Sequence, residues 1–288
     1  MSDPDPALVV PQSRFFTVPD PPADGGGHAT VRLHALEWPS AAPRVLVFLH
    51  GRAAHAHWWD HVAPAFLDTH RVLALDLRGH GESEHTPGRY GRGAFAHDVR
   101  AVLDALGGPV DVVGASMGGR VAIQAVADHS RVGRLVLVDV PAHRPRNVPR
   151  FRGLLGTPRP YASRAEALRR FRLMPPGTTA APELLARIAE HSIRPLEDGH
   201  WTVKFDRRMF RDPPAHTADD IFAHIPCPTL IVRGEHSPIL PVAGAAMLLA
   251  RLPDARLVTI PGAYHHVFLD DPEAFVAAVR TFLAGGGA

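Results

Sequence analysis

The tightest constraint in the chain is the segment Pro109–Arg120, PVDVVGASMGGR. Val110–Val113 is short, apolar and rich in β-branched residues, the pattern of a strand buried in a sheet. Gly114-Ala115-Ser116-Met117-Gly118 follows with no spacer, and from Gly119 to Val126 small and apolar residues fall at helical spacing. A strand that turns directly into a helix forces its turn residue into a rare backbone conformation. Gly114 and Gly118 remove side chains where the chain must pass close to itself. Ser116 would then stand at the C-terminal end of a strand, with free N–H groups and the positive end of a helix dipole behind it. The competing reading of this stretch alone is a Gly-rich turn whose serine caps a helix. Strand before and helix after G-x-S-x-G favour an exposed nucleophile instead.

The remaining strands repeat the same logic. Arg44–Leu49 (RVLVFL), Arg71–Leu77 (RVLALDL), Leu135–Val140 (LVLVDV) and Thr229–Val232 are near-continuous apolar runs, expected of strands covered on both faces. Helical patterns separate them at Trp58–Leu67, Gly93–Leu106 and Ala243–Leu252, and a last strand at Leu257–Ile260 precedes a helix over Pro272–Leu283. Phe15–Val18 and Thr30–Leu36 add two strands at the start. Alternation of buried strands with helices predicts an α/β chain with a mostly parallel, doubly wound sheet. Residues 1–13, acidic and Pro-rich, read as a disordered extension. Residues 141–220 break the rhythm with Pro and Arg, and carry helical runs at Ser163–Phe171 and Ala181–His191 and an extended stretch at Gly199–Phe205. They read as a helical cap inserted in a core made of residues 14–140 and 221–288.

Composition narrows the partners. One cysteine, Cys227, excludes a disulfide within the chain. No apolar run reaches membrane-spanning length, and the N-terminal residues lack a basic segment followed by an apolar one, so a cytoplasmic protein is expected. The net charge is +2, but residues 141–224 carry 15 basic against 9 acidic side chains. That bias reads first as a solvated basic face; it also leaves room for an acidic small-molecule substrate. The arginines lack the interleaved aromatics of a nucleic-acid groove, so no nucleic-acid partner is expected.

A serine needs a base to remove its proton. Tyr264-His265-His266 follows the last predicted strand, at the sheet edge where Ser116 would lie. An oxyanion hole needs two N–H groups aimed at one oxygen, and the residue after the nucleophile, Met117, with the one after His50-Gly51, Arg52, supplies them.

Leu49–Gly51 (LHG), Asp76–Ser83 (DLRGHGES), Gly114–Gly119 (GASMGG) and Ile260–Phe275 (IPGAYHHVFLDDPEAF) together resemble the α/β-hydrolase superfamily, from about residue 30 to the end apart from the cap. The resemblance implies an eight-stranded core, a cap above the site and a Ser-His-acid triad. It also implies His265, seven residues before Pro272, as the base, and a bracing role for Asp76 and Arg78. One feature departs from the family. The acid usually lies a few residues after the seventh strand, where this chain has Gly234-Glu235-His236-Ser237, with Ser237 at the expected place. Some esterases and dehalogenases of the family carry it after the sixth strand, and Asp139 stands there at the end of LVLVDV. Asp139 is therefore the expected acid and Glu235 the alternative.

The resemblance implies a serine hydrolase that cleaves carboxylic esters or lactones through an acyl-enzyme, without a cofactor. Carbon–carbon bond hydrolysis, cofactor-free haloperoxidation and thioester cleavage use the same triad, and a non-catalytic ligand-binding homologue is the alternative of another class. Epoxide hydrolases and haloalkane dehalogenases need an aspartate where Ser116 stands. His55-Ala-His57-Trp-Trp-Asp60-His61 approximates a metallo-β-lactamase motif with one residue too many, which should turn Asp60 and His61 away; no metal is expected, and Trp58 and Trp59 are expected to line core and pocket.

Overall fold

A computed structural model describes residues 9–20, 29–91, 93–142, 160–210 and 219–285. The main sheet has eight strands in the order β1-β2-β4-β3-β5-β6-β9-β10. These are β1 (Gln12–Asp20), β2 (Ala29–Trp38), β3 (Arg44–Leu49), β4 (His70–Leu75), β5 (Val110–Ala115), β6 (Val132–Val138), β9 (Thr229–Gly234) and β10 (Ala255–Ile260). β2 runs antiparallel to β1 and β4, and every other pair is parallel. Apolar side chains on the two faces of the sheet form two core clusters, one around Leu33, Val47 and Leu137, the other around Phe48, Trp59 and Phe268. Burial on both faces is why β3, β5 and β9 carry apolar residues at consecutive positions, Val45–Leu49, Val112–Val113 and Leu230–Val232, rather than alternating.

The helices follow the sequence pattern with one exception. α1 (Ala94–Leu106) and α2 (Met117–Val126) pack together on one side of β5, while α5 (Val242–Arg251), α6 (Val267–Asp270) and α7 (Pro272–Leu283) follow the later strands. Asp271 caps α7 by accepting from the Ala274 N–H at 2.9 Å, and Pro272 opens the helix where its missing N–H costs nothing. The expected helix over Trp58–Leu67 is instead two 3-10 turns, Ala56–Trp59 and Ala63–Phe66. Pro64 explains the break: it lacks the N–H that a continuous helix needs there and its ring would meet the carbonyl four residues back.

β1 begins at Gln12, paired with Glu37, so ordered structure starts two residues inside the expected extension; most of that extension, residues 1–8, lies outside the described residues. In the cap, α3 (Arg164–Arg169) and α4 (Pro182–His191) occupy the expected helical runs. The cap is not purely helical, because β7 (Ile193–Pro195) and β8 (Trp201–Val203) form a small antiparallel hairpin, with Tyr161 bridged to Trp201. The cap residues 143–159 and 211–218 lie outside the described residues, with much of the Arg-rich stretch. Among the described residues no helix is long and apolar enough to cross a membrane.

After β3 the chain goes to β4 on one side, then returns to β5 on the other. A reversal of this kind is where open α/β sheets bind ligands, outside the carboxyl ends of the strands.

Candidate active site

Ser116 occupies the turn between β5 and α2 with φ 51° and ψ −113°, a conformation that non-glycine residues rarely adopt. Its backbone is held from both sides: its N–H donates to the Val138 carbonyl at 2.9 Å and its carbonyl accepts from Arg120 N–H at 3.2 Å. The two flanking glycines are sterically required. A Cβ on Gly118 would stand 2.3 Å from the Leu49 carbonyl oxygen, and one on Gly114 would stand 2.6 Å from Gly119 Cα. The fold thus presses the start of α2 against the end of β3.

That closeness positions the two segments expected to form an oxyanion hole. Met117 is the first residue of α2, so its N–H has no intrahelical partner. Gly51 lies against the serine, since a Cβ there would be 3.5 Å from Ser116 Cβ, and Arg52 follows it with an exposed side chain. Two histidines, one from the LHG motif and one from DLRGHGES, shape this loop. His50 Nε2 accepts from Leu77 N–H at 3.0 Å, which leaves Nδ1 as the protonated nitrogen, donating to the Gly51 carbonyl at 2.7 Å. His80 repeats the arrangement, accepting from Ala53 N–H at 3.2 Å through Nε2 and donating to the Arg78 carbonyl at 3.0 Å through Nδ1. The two rings meet edge to face at 4.8 Å. Burial pushes both imidazole pKa values below the usual range, that of His80 far below. Both rings are neutral at pH 7 and serve as fixed dipoles behind the loop.

A second brace lies underneath. Asp76 accepts from His34 Nδ1 at 2.7 Å, from Ala56 N–H at 2.7 Å and from Glu82 N–H at 3.0 Å. Burial alone would raise its pKa, but the His34 hydrogen bond and the fields of His50 and His55 outweigh it and keep the carboxylate ionised well below the ordinary range. Arg78, fully buried, forks onto Asp98 with two bonds of 2.5 Å and reaches Asp20 at 3.0 Å. Both residues sit in structural networks, in line with the bracing role expected for them.

The residues expected as acid and base come from the other half of the sheet. His265 lies in the loop between β10 and α6, which Asp270 fastens by accepting from Tyr264 N–H at 2.7 Å. Its Nδ1 donates to Asp139 Oδ2 at 2.6 Å, and both side chains are buried. The bond fixes the proton on Nδ1 and leaves Nε2 as the basic nitrogen. Asp139 sits just beyond β6, next to β5, with φ 48°, and its own N–H is tied to the Val232 carbonyl at 2.7 Å. Ser237, the residue at the usual acid position, donates its hydroxyl to Asp139 Oδ2 at 2.5 Å and accepts from the N–H groups of Ile239 and Leu240. Gly234 N–H adds a contact to Oδ1 at 3.2 Å. The carboxylate is thus surrounded by three donors. Glu235 points elsewhere: its half-exposed side chain accepts from Gly262 N–H at 2.8 Å.

The His55–His61 run divides among different tasks. His55 Nε2 bonds Ser192 Oγ at 2.8 Å, and His61 Nε2 donates to the Phe268 carbonyl at 2.7 Å. Trp59 stacks between Phe48 and Phe268 in the core. Trp58 meets His266 edge to face at 5.4 Å, beside His265. Asp60 does not turn away from His57, because residues three apart eclipse in a 3-10 turn, and the two bond at 2.9 Å.

Residues 46–278 match the family described as "Alpha/beta hydrolase family". The chain belongs to the α/β-hydrolase family. It is 34% identical over 264 residues to "Esterase Rv0045c" of Mycobacterium tuberculosis, covering 87% of this chain and 86% of that one. It is 29% identical to a "Pimeloyl-[acyl-carrier protein] methyl ester esterase" of Neisseria meningitidis, covering 86% of this chain and 95% of the relative. A crystal structure of an α/β-hydrolase from Novosphingobium aromaticivorans superposes with a TM-score of 0.75 at 27% identity, covering 96% of this chain and 99% of that one.

Proposed function

We propose that this α/β-hydrolase cleaves carboxylic esters or lactones through an acyl-enzyme, with Ser116 as nucleophile, His265 as base and Asp139 as the acid that orients it. The observation that carries the reading is the buried 2.6 Å bond between His265 Nδ1 and Asp139, on the strand next to the one that ends in the strained Ser116. His265 Nε2 takes the serine proton as Oγ attacks the carbonyl carbon, and the N–H groups of Met117 and Arg52 receive the charge on the oxyanion. Collapse expels the alcohol, protonated by the same imidazole, and water activated by His265 then releases the acid. No step calls for a cofactor. The esterase names of both curated relatives support the ester as substrate.

An acyl ester carried on a partner is a second substrate form, favoured by the pimeloyl-[acyl-carrier protein] methyl ester relatives. An acidic substrate belongs to this finer reading and rests on the basic bias of residues 141–224. A cytoplasmic setting completes it, checked by fractionation of the native cell. The test of the chemistry is a fluorophosphonate probe with a panel of p-nitrophenyl esters, lactones, acyl methyl esters and thioesters. Wild type should label and turn over at least one ester, and Ser116→Ala should do neither. Folded wild type that resists the probe and turns over nothing in the panel would point to the non-catalytic homologue.

A further inference from the structure

We infer that His57, Asp60 and His191 form a divalent transition-metal site that clamps the cap to the core. The three come from two separate parts of the fold. His57 and Asp60 share one face of the 3-10 turn after β3, and His191 is the last residue of α4 in the cap. One ligand atom from each lies within 4.8 Å of the others, and all three residues are half-buried. His57 Nδ1 already contacts Asp60 Oδ2 at 2.9 Å. The imidazoles of His57 and His191 stack face to face, with centroids 3.7 Å apart and planes 15° apart.

This arrangement leaves coordination capacity unspent. Asp60 Oδ1 is shielded from solvent and has no hydrogen-bond partner among the described residues, although buried oxygens of this kind are nearly always satisfied. Two stacked imidazoles make no hydrogen bond with each other. Two imidazole nitrogens and one carboxylate oxygen suit Zn²⁺, Ni²⁺ or Co²⁺, while Mg²⁺ and Ca²⁺ prefer all-oxygen sets. Bonds of about 2.0–2.1 Å place tetrahedral ligands roughly 3.4 Å apart. An imidazole lone pair lies in its ring plane, so two near-parallel stacked rings cannot both face one ion; binding takes a swing of the His191 side chain out of the stack, with water in the fourth position.

The location gives the site a consequence. His57 precedes Trp58, whose indole packs on His266 beside the catalytic base, and it follows the loop that carries Gly51 and Arg52. Next to it, His55 and Ser192 already bond across the same cap–core border at 2.8 Å. An ion there would fix the end of α4 against the 3-10 turn after β3 and hold the cap shut. The inference does not depend on which residue serves as the triad acid.

Isothermal calorimetry with ZnCl2 or NiCl2 on the metal-free full chain tests it, together with thermal unfolding and ester turnover. The wild type should bind one ion, gain about 5 °C in Tm at an ion concentration near 100 times Kd, and lose at least tenfold in turnover, restored by EDTA. His191→Ala should keep the metal-free turnover of wild type, bind the ion at least 30-fold more weakly and escape inhibition. His57→Ala should bind as weakly. Wild-type affinity in both variants, or no ion bound by wild type at 1 mM, would show a stack held by packing alone and overturn the site. Binding that requires His191 yet leaves turnover unchanged would overturn the clamp.

Discussion

Replacing Asp139 by Asn is the sharpest probe of the site. The substitution keeps the shape and removes the charge that faces the imidazolium formed in the transition state. With the Nδ1–Oδ2 contact at 2.6 Å, the two charge centres lie about 4 Å apart. At an effective dielectric near 20 that pair is worth about 4 kcal/mol, or roughly 10³-fold in kcat. Geometry adds a second cost. Asp139 Oδ2 accepts from both Ser237 Oγ and His265 Nδ1, and Oδ1 accepts from Gly234 N–H, whereas an amide that turns its oxygen to the first two points its own N–H groups at Gly234 N–H, and one turned the other way points them at Ser237 and His265. Steady-state hydrolysis of a p-nitrophenyl ester should therefore fall about 10³-fold, with KM changed little, while far-UV circular dichroism and Tm show a folded protein. Glu235→Gln, which alters two half-exposed contacts, the bond from Gly262 N–H and a 3.9 Å approach to His236 Nε2, should stay within about threefold of wild type. The assignment fails if Asp139→Asn keeps near-native turnover, or if Glu235→Gln is the variant that loses it.

Further expectations follow from the same contacts. Ser237→Ala removes one of the three donors to Asp139, so turnover should drop only about three- to tenfold in steady-state hydrolysis of the same p-nitrophenyl ester. Gly118→Ala drives a Cβ to 2.3 Å from the Leu49 carbonyl oxygen, which should lower stability by about 3 kcal/mol or prevent folding, read by urea unfolding. His266 is buried, with its pKa pulled down to about 3 by burial and by the neighbouring His265. In the unfolded chain it titrates near 6.5, so its contribution is complete above that pH and is lost at about 1.4 kcal/mol per pH unit as the pH falls toward 3. His55 and His80, also held neutral chiefly by burial, act in the same direction. Urea midpoints at pH 7.5 and 5.5 should show a steep acid loss in wild type and a slope lower by about one proton in His266→Phe; equal slopes would refute the attribution.

Local pattern made the scaffold and the elbow readable. Strands with apolar residues at consecutive positions can only be covered on both faces, and a serine between glycines at a strand–helix junction has few places to go, so β3, β5, α2 and Ser116 follow from neighbours within a few residues. His265 and Asp139 come forward only through the family resemblance, which sets a histidine seven residues before Pro272 and an acid where this chain has Ser237. What local pattern misjudged was also local: Pro64 divides the 3-10 turns within the run expected to form one helix.

Other features exist only once distant segments meet. The tautomers of His50 and His80 depend on N–H groups of Leu77 and Ala53, 27 residues away in each case, and their neutral state on burial by the closed fold. The role of Ser237 as a donor to Asp139 depends on two strands lying side by side, 98 residues apart in sequence. The meeting of His57 with His191 depends on where the cap comes to rest. Periodicity and steric exclusion act between chain neighbours and are written in order along the sequence; hydrogen-bond direction and desolvation arise between groups that only the closed fold brings within 3 Å.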